Sequence, residues 1–269
     1  MATPQDRYTH GHHESVLRSH QWRTATNSAG YLLPHLASGL SLLDVGCGPG
    51  TITADFARLV DPAPVTGVDL STGVIELARA ATAERGLDNL SFATDDVYAL
   101  SFNDATFDVV HAHQVLQHLS DPVTALREMR RVLRPQGRLA VRDADYGAFS
   151  WYPTNPALEH WMQLYHQVTK INGAEADGGR HLVGWVRAAG FVELEVTSTN
   201  WTYQRPDARH WWGSLWADRV RQSSFALQAL ESDLATAEEL EAMASAFLDW
   251  ANDEDAIFLV PSVEVLARP

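Results

Sequence analysis

Leu42-Leu43-Asp44-Val45-Gly46-Cys47-Gly48-Pro49-Gly50-Thr51 is the stretch of this 269-residue chain that decides its fold. Apolar residues typical of a strand lead into an acidic residue, three glycines follow at every second position, and Thr51 begins a helical pattern. Glycines at this spacing let the chain turn sharply from strand to helix and let a ligand lie directly against the backbone. The stretch therefore predicts a ligand site at a strand-to-helix turn.

Two ligand classes fit such a turn, a dinucleotide and S-adenosylmethionine (SAM). The dinucleotide fingerprint requires Gly or Ala three positions after its second glycine, but Thr51 or Thr53 stands there, depending on which glycine pair is counted. The stretch instead resembles motif I of the class I SAM-dependent methyltransferases, in which this turn binds the cofactor. On that resemblance the cofactor-binding residues of the turn are Asp44, Gly46, Cys47, Gly48 and Gly50.

The composition of the chain indicates which kinds of molecule it binds and where it is located. A net charge of −14 argues against nucleic acid, whose phosphates require a basic surface. No apolar run approaches the ~18 residues of a membrane span, and the polar, His-rich residues 1–13 are unlike a secretory signal. Cys47 is the only cysteine, which fits a reducing cytoplasm. We expect a cytoplasmic protein that acts on a small molecule.

From Ser41 onward, short apolar strands alternate with amphipathic helices, the pattern of a parallel sheet covered on both faces. The fold class is therefore α/β, a Rossmann-like seven-stranded, mostly parallel sheet. Pro135 to Gly137 are expected to end a helix before the fifth strand. Predicted strands cover 41–45, 65–70, 90–93, 107–111, 138–142, 191–197 and 257–267, and predicted helices cover 51–60, 71–86, 121–133, 157–169, 179–189 and two or three stretches of 207–253.

The resemblance covers residues 41–143 well, with weaker similarity at 179–191 and 257–269. Two runs, Val-Leu-Gln-His at 115–118 and Leu-Arg-Glu-Met-Arg-Arg-Val-Leu-Arg-Pro at 126–135, are most similar to ubiquinone/menaquinone-type and secondary-metabolite methyltransferases. The Gly-Cys-Gly-Pro-Gly turn differs from that of the quinone enzymes.

The resemblance also implies a domain organisation. Residues 207–253 lie where a bare methyltransferase core has a tight hairpin, and ligands of open α/β sheets bind beyond the carboxyl ends of the strands. Additions there become walls of the substrate site, and the long insertion is compatible with a homodimer. We predict an N-terminal helical lid (1–40), a SAM-binding core (41–206), a helical cap (207–253) and the last core strand (254–269).

Asp69 and the acidic pair after the third strand are the remaining cofactor candidates. Asp69 ends the second strand about twenty residues after the glycine run, where an acidic side chain binds ribose hydroxyls; the alternative is a carboxylate favoured by a helix dipole. Leu70 would then lie against the adenine. The resemblance implies that Asp96 accepts the adenine amino group and Val97 donates its backbone amide, with Asp95 as the alternative by a one-residue shift.

The segment after the fourth strand and the N-terminus complete the predicted cofactor site. The resemblance places His113 and His118 beside the methionine part of SAM. His111-Ala112-His113 has a zinc-like spacing, but no cysteine accompanies it, so we predict no metal. Tyr8 and Arg23 could reach the SAM carboxylate, since arginine pairs well with carboxylates; the alternative is a disordered or tag-like His cluster.

The resemblance implies methyl transfer, whose main requirement is to hold a nucleophile in line with an electrophilic methyl group. A base is needed when the acceptor must lose a proton, and histidine suits that role near neutral pH. His113 is the first candidate, with Asp145 and Tyr146 as alternatives; each could instead merely shape the pocket.

The acceptor is expected to be a hydrophobic, aromatic or terpenoid metabolite methylated at O, N or C. Eight of the nine tryptophans lie at or after Trp151, and tryptophans fill both pockets and cores. We expect about half of those in the predicted cap region to line the acceptor pocket. The tryptophans proposed for the pocket are Trp151, Trp161, Trp201, Trp211, Trp212 and Trp216.

Because fold does not fix function, two alternatives to a methyltransferase stay open. They are a non-methylating SAM enzyme (a cyclase or decarboxylase) and a non-catalytic SAM-binding protein. A nicotinamide oxidoreductase is a third, more distant alternative.

Overall fold

The computed structural model describes residues 6, 8, 9, 11 and 19–269, and their core is one eight-stranded sheet. The strands are β1 (Leu42–Val45), β2 (Val65–Asp69), β3 (Leu90–Thr94), β4 (Phe107–His113), β5 (Leu133–Ala144), β6 (Ser150–Tyr152), β7 (Val192–Tyr203) and β8 (Ile257–Arg268). The α-helices whose full extent is described are α1 (Ala25–Ser28), α2 (Thr51–Val60), α3 (Thr72–Thr82), α4 (Pro122–Val132), α5 (Pro156–Ile171), α6 (Gly178–Ala188), α7 (Pro206–Gln222), α8 (Ser224–Glu231) and α9 (Ala237–Asn252).

The strand order is β3-β2-β1-β4-β5-β8, and both β6 and β7 pair with β8. The β1–β2, β1–β4, β2–β3 and β4–β5 pairs are parallel, whereas β8 is antiparallel to β5, β6 and β7. One strand therefore runs against the others. The expected Rossmann-like, mostly parallel sheet with its seven predicted strands is confirmed, and β6 is a short addition that the sequence pattern did not predict.

Helices cover both faces of the sheet because successive residues of the buried strands point to opposite sides. Leu43 and Val45 pack in one apolar cluster with residues of α4 and α6. Leu42 packs on the other side with residues of α1 and α2. A third cluster joins α5 to the inserted helices α7, α8 and α9.

The predicted helix starts are confirmed where a side chain or a proline sets them. Ser71 accepts a hydrogen bond from the Val74 backbone N–H at the start of α3. Asp121 caps α4, with Pro122 as its first residue. These local contacts satisfy backbone donors that have no partner inside the helix.

Two predicted boundaries are wrong. Pro135 to Gly137 do not separate a helix from a strand, because β5 begins at Leu133 directly after α4. Leu133 pairs with Phe107 and Arg138 with Val109, so residues 134–137 form an irregularity within the β4–β5 pairing. β7 also extends to residue 203 rather than 197, because it remains paired with β8 throughout.

None of the helices in the described part of the chain has the length and apolar character required to cross a bilayer. Of the predicted 1–40 lid, residues 1–5, 7, 10 and 12–18 lie outside the described residues. The division into lid, core and cap remains a prediction.

Candidate active site

A cavity of about 870 Å³ opens at the carboxyl ends of β1, β2 and β4. Its volume is in the upper part of the range of about 300–1,000 Å³ that small-molecule sites occupy. Residues from distant parts of the sequence line it, from Tyr8 near the N-terminus to Arg219 on α7. Of the predicted site residues, the cavity wall includes Tyr8, Arg23, Asp44, Gly46, Cys47, Gly48, Asp69, Leu70, Asp95, Asp96, Val97, His113, His118 and Tyr146.

The glycine turn forms the floor of this cavity. Gly46, Gly48 and Gly50 all have positive φ, at 66°, 55° and 75°, a conformation that side chains disfavour. A Cβ at Gly46 would also lie 2.4 Å from Val115 Cγ2. Gly46 and Gly48 line the cavity, whereas Gly50 is outside its lining and directly precedes α2. The turn thus exposes backbone to the cavity at two glycines and redirects the chain at the third.

Asp69 stands at the cavity wall, where β2 ends. Its Oδ2 accepts a hydrogen bond from the Gly48 backbone N–H at 3.3 Å, and its Oδ1 accepts one from the Ser71 backbone N–H at 3.0 Å. Leu70, next along, leaves 63% of its surface exposed. The turn and Ser71 therefore fix an acidic group beside an accessible apolar surface.

The two carboxylates after β3 differ in what they contact. Asp95 accepts hydrogen bonds from the Asp96 backbone N–H and from both the backbone N–H and the hydroxyl of Ser101. Asp96 accepts one from the Tyr98 backbone N–H, at 2.9 Å. Asp95 thus holds the loop together, while Asp96 has fewer contacts within the loop.

Asp44 is buried beneath the turn. Its Oδ2 accepts a hydrogen bond from the Thr53 hydroxyl at 2.6 Å, and its Oδ1 lies 2.7 Å from His111 Nδ1. Asp44 therefore ties β1 to both α2 and β4. Within the described part of the chain, no cluster of three His, Cys, Asp or Glu residues is arranged to hold a metal ion.

His113 lies at the end of β4 and is only 5% exposed. Neither ring nitrogen has a hydrogen-bond partner among the described residues. Burial, reinforced by the positive charges of Arg23 and Arg142, holds the pKa of His113 well below its usual range. Burial likewise lowers the pKa of His118, to about 3. Both imidazoles are therefore neutral at pH 7, and His113 is a weak proton acceptor.

The inner end of the cavity is built around Arg23. Its Nη2 donates a hydrogen bond to Gln114 Oε1 at 2.6 Å. Gln114 has a φ of 53°, which is uncommon for a side-chain-bearing residue and typical of functional sites. Burial raises the pKa of Tyr8 to about 12, and its ring lies edge-on to His118 with centroids 4.8 Å apart.

Asp145 and Tyr146, the alternative catalytic candidates, have different surroundings. Asp145 is outside the cavity lining, and its carboxylate forms an ion pair with Arg180 at 2.6 Å. Tyr146 lines the cavity and stacks on Tyr165, with ring centroids 4.0 Å apart. Tyr146 is therefore positioned to touch a ligand in the cavity, whereas Asp145 pairs with the helix α6.

A small inner chamber of about 30 Å³ adjoins the main cavity and shares Arg23, Gln114, Tyr146 and Arg219 with it. Three of the six tryptophans proposed for the pocket line this chamber, together with one from the N-terminal region. The other three pack in the apolar cluster of the inserted helices. The chamber tryptophans are Trp22, Trp201, Trp211 and Trp212, and the packed ones are Trp151, Trp161 and Trp216.

Sequence reasoning missed Arg219, His20 and Tyr203 as cavity or chamber residues. A signal for Arg219 was present in the sequence. It follows Trp212 by seven residues and Trp216 by three, so it lies on the same face of the helix as these two tryptophans. A charged residue beside large apolar side chains indicates a charge that is used in the buried part of the molecule. His20 and Tyr203 carry no comparable local signal.

These features fit SAM. The cavity combines exposed glycine backbone, an acidic residue ending β2, a further carboxylate at Asp96 and apolar surface at Leu70. Such groups match the backbone, ribose and adenine contacts expected of a nucleoside cofactor bound at the carboxyl ends of a parallel sheet.

Comparison with known proteins gives the family. A family model described as a methyltransferase domain matches residues 36–203. An uncharacterised methyltransferase of Schizosaccharomyces pombe is 32% identical over 280 residues, which cover 100% of this chain and 99% of the relative. A probable methyltransferase of Aspergillus luteorubrus is 28% identical over 276 residues, covering 97% and 96%. The crystal structure of the YcgJ protein of Bacillus subtilis, 20% identical, aligns with a TM-score of 0.60 over 90% of this chain and 97% of that one.

Shorter matches include a ubiquinone/menaquinone C-methyltransferase of Hahella chejuensis and an O-methyltransferase of Penicillium expansum, over 48% and 60% of this chain. They confirm the resemblance that the two sequence runs indicated. The likeness to the solved structure shows the fold. The chain belongs to the class I SAM-dependent methyltransferases, and SAM is its cofactor.

Proposed function

We propose that the protein methylates a small, hydrophobic, aromatic metabolite. The observation that carries this proposal is the aromatic chamber at the inner end of the cofactor cavity, lined by Trp22, Trp201, Trp211 and Trp212. Aromatic side chains pack well against flat rings, so the chamber favours an aromatic acceptor whose substituent enters it while its ring lies in the main cavity. Secondary-metabolite chemistry, a cytoplasmic location and a homodimer remain predictions alongside it.

We assign the cofactor contacts along the length of the cavity. Asp69 accepts the ribose hydroxyls, since it ends β2 at the cavity wall, and Leu70 lies against the adenine. Asp96 rather than Asp95 accepts the adenine amino group, because Asp95 already holds the loop to Ser101. Gly46 and Gly48 offer backbone to the methionine part, and Val97 donates its backbone amide to the adenine ring.

At the inner end, Arg23 pairs with the SAM carboxylate, and Tyr8, adjacent to His118, completes that end of the site. Gln114 orients the guanidinium of Arg23 through their 2.6 Å hydrogen bond. Arginine is well suited to this role, because its guanidinium presents several donors in a fixed plane.

When bound, SAM supplies a methyl group on a positively charged sulfur, a strong electrophile. The protein's main contribution is to hold the acceptor in line and exclude water, and such positioning supplies a large part of a rate enhancement. His113 is neutral, so we assign it a hydrogen bond to the acceptor rather than proton removal. Tyr146 supplies an aromatic wall, and Asp145 fixes the segment after β5 through Arg180.

Calorimetric titration with S-adenosylhomocysteine tests the cofactor geometry, with NAD as the negative control ligand. Asp69→Asn should weaken S-adenosylhomocysteine binding at least about tenfold, because hydrogen bonds to a charged group contribute about 1.5–3 kcal/mol each. Asp88→Asn, at an exposed position, is the matched control and should bind normally. Unchanged affinity in a folded Asp69→Asn protein would refute the assignment.

The acceptor class needs a second measurement. With radiolabelled SAM, transfer of label to aromatic hydroxyl compounds, and not to aliphatic amines of similar size, is the expected result. Transfer to the amines alone would contradict an aromatic acceptor while leaving the cofactor assignment intact.

A further inference from the structure

We propose that the inner chamber binds an anionic oxygen group of the methyl acceptor, held by Arg219 with Tyr203 and Trp212. The inference deepens the proposed function and rests on it. The group is either a carboxylate or an ionised hydroxyl, and the rest of the acceptor occupies the main cavity.

The first observation is a set of buried donors without acceptors. Arg219 Nε, Trp212 Nε1 and the Tyr203 hydroxyl are all buried and have no hydrogen-bond partner among the described residues. All three residues line the chamber. Arginine and tryptophan side chains can only donate, and buried polar groups are normally paired. The missing partner is therefore a group rich in acceptors.

The second observation is the charge on Arg219, which is only 5% exposed. Its Nη2 donates to the Ser19 hydroxyl and its guanidinium lies 5.1 Å from the centroid of the Trp216 ring, but no carboxylate of the described residues forms an ion pair with it. An isolated buried charge is costly unless it is paired. An anion bound in the chamber would therefore offset the cost of burying the Arg219 guanidinium.

The cofactor does not supply that anion. SAM carries one carboxylate, which we assign to Arg23, and it adds two positive charges, its sulfonium and its ammonium group. Binding SAM therefore increases the positive charge near Arg219. Since no carboxylate of the described residues pairs with Arg219, we assign the negative charge to the acceptor.

Size restricts what enters. A water molecule needs about 10–15 Å³ of such space, so a chamber of about 30 Å³ admits a group of very few atoms. The ring that carries that group remains in the main cavity. An acceptor whose hydroxyl has already lost its proton to solvent also needs no base, which agrees with the neutral state of His113.

The test uses the full chain saturated with S-adenosylhomocysteine and three benzene derivatives as probes in calorimetry. Benzoate represents a carboxylate, 4-nitrophenolate an ionised hydroxyl, and benzamide an uncharged compound of the same size. We expect one or both anions to bind at least tenfold more tightly than benzamide. The preferred anion identifies which oxygen group the chamber selects.

Two variants assign that preference to the chamber. Arg219→Met should abolish the difference between anion and benzamide while keeping S-adenosylhomocysteine affinity within about threefold. Arg221→Met is the matched control, since Arg221 is on the same helix but pairs with Glu241 outside the cavity, and it should leave the difference intact. If Arg219→Met fails to fold, Tyr203→Phe provides the test instead. It removes only a hydroxyl and should reduce the preference for the anion over benzamide.

Equal binding of anions and benzamide to the unmodified protein would overturn the inference, as would an unchanged preference in Arg219→Met. A loss of S-adenosylhomocysteine affinity in Arg219→Met would also overturn it, by showing that Arg219 serves the cofactor carboxylate. Failure of the unmodified protein to bind S-adenosylhomocysteine would instead refute the proposed function.

Discussion

His113 shows how position on the sheet controls the chemistry of a single residue. Register places His113 opposite Arg142, which pairs in turn with Glu264 and with the ring of Trp201. Burial disfavours a positive charge on the His113 imidazole, and the nearby charges of Arg23 and Arg142 oppose it further. A histidine chosen from sequence as a base thus becomes, in its surroundings, a neutral hydrogen-bonding group.

The depressed pKa of His113 predicts acid sensitivity. The unfolded chain binds a proton at this histidine below the ordinary histidine pKa of 6.5, whereas the folded protein does not. The contribution of His113 to the free energy of unfolding is therefore undiminished above pH 6.5. It falls as the pH drops, by up to about 2 kcal/mol at pH 5. Urea unfolding of His113→Asn should show a smaller loss between pH 7 and 5 than the unmodified protein. His210→Asn, at an exposed site, is the control, and equal pH dependence in all three proteins would contradict the prediction.

At the scale of elements, sequence reasoning succeeded where the signal is local. The glycine turn, the Ser71 and Asp121 caps and the buried strands each follow from residues a few positions apart. The start of β5 was missed because pairing with β4, a long-range contact, holds residues 133–144 as one strand despite Pro135 and Gly137.

The site, like the fold, was predictable only where its residues lie close together in the sequence. Asp69 and the glycine turn were identifiable because their spacing along the chain reflects one βαβ unit. The inner chamber was not, since it brings together residue 23, the end of β7 and α7. No local periodicity links those segments.

Two glycines in helices provide a paired test of element packing. A Cβ at Gly213 in α7 would lie 2.6 Å from the Phe247 carbonyl oxygen of α9, whereas one at Gly184 in α6 would meet nothing within 4 Å. Gly213→Ala should therefore lower the free energy of unfolding by about 1–3 kcal/mol. Gly184→Ala should raise it by about 0.5–1 kcal/mol through helix propensity. Denaturant titration of both variants checks this, and destabilisation by both or by neither would refute the close packing of α7 on α9.

At the scale of the whole molecule, the cavity joins parts of the chain that belong to different apolar clusters. The glycine turn and the ends of β1 and β2 belong to the sheet, whereas Arg219 belongs to the inserted helices around Trp161. A ligand in the cavity therefore touches both groups of elements. Its binding free energy then stabilises the sheet and the inserted helices together, so both should unfold in one transition.

S-adenosylhomocysteine should accordingly raise the thermal unfolding midpoint. At a ligand concentration of 100 times Kd the stabilisation is about 2.7 kcal/mol, or roughly 5–10 °C for a chain of this size. Scanning calorimetry should show one shifted transition. Asp69→Asn should shift less at the same concentration, and two separate transitions with only one shifted would contradict a shared cavity.

The place of β8 in the sheet also has a consequence for how the chain is assembled. β8 follows every other strand in sequence, yet it lies between β5 and β7 and pairs with both. During synthesis, the backbone groups of β5 and β7 that later pair with β8 therefore have no partner while the inserted helices are being made. Open edges invite pairing between chains, and contacts so distant in sequence form slowly. The sheet is completed from its interior, so a ribosome paused within residues 207–253 holds a chain whose most vulnerable edges are still unpaired.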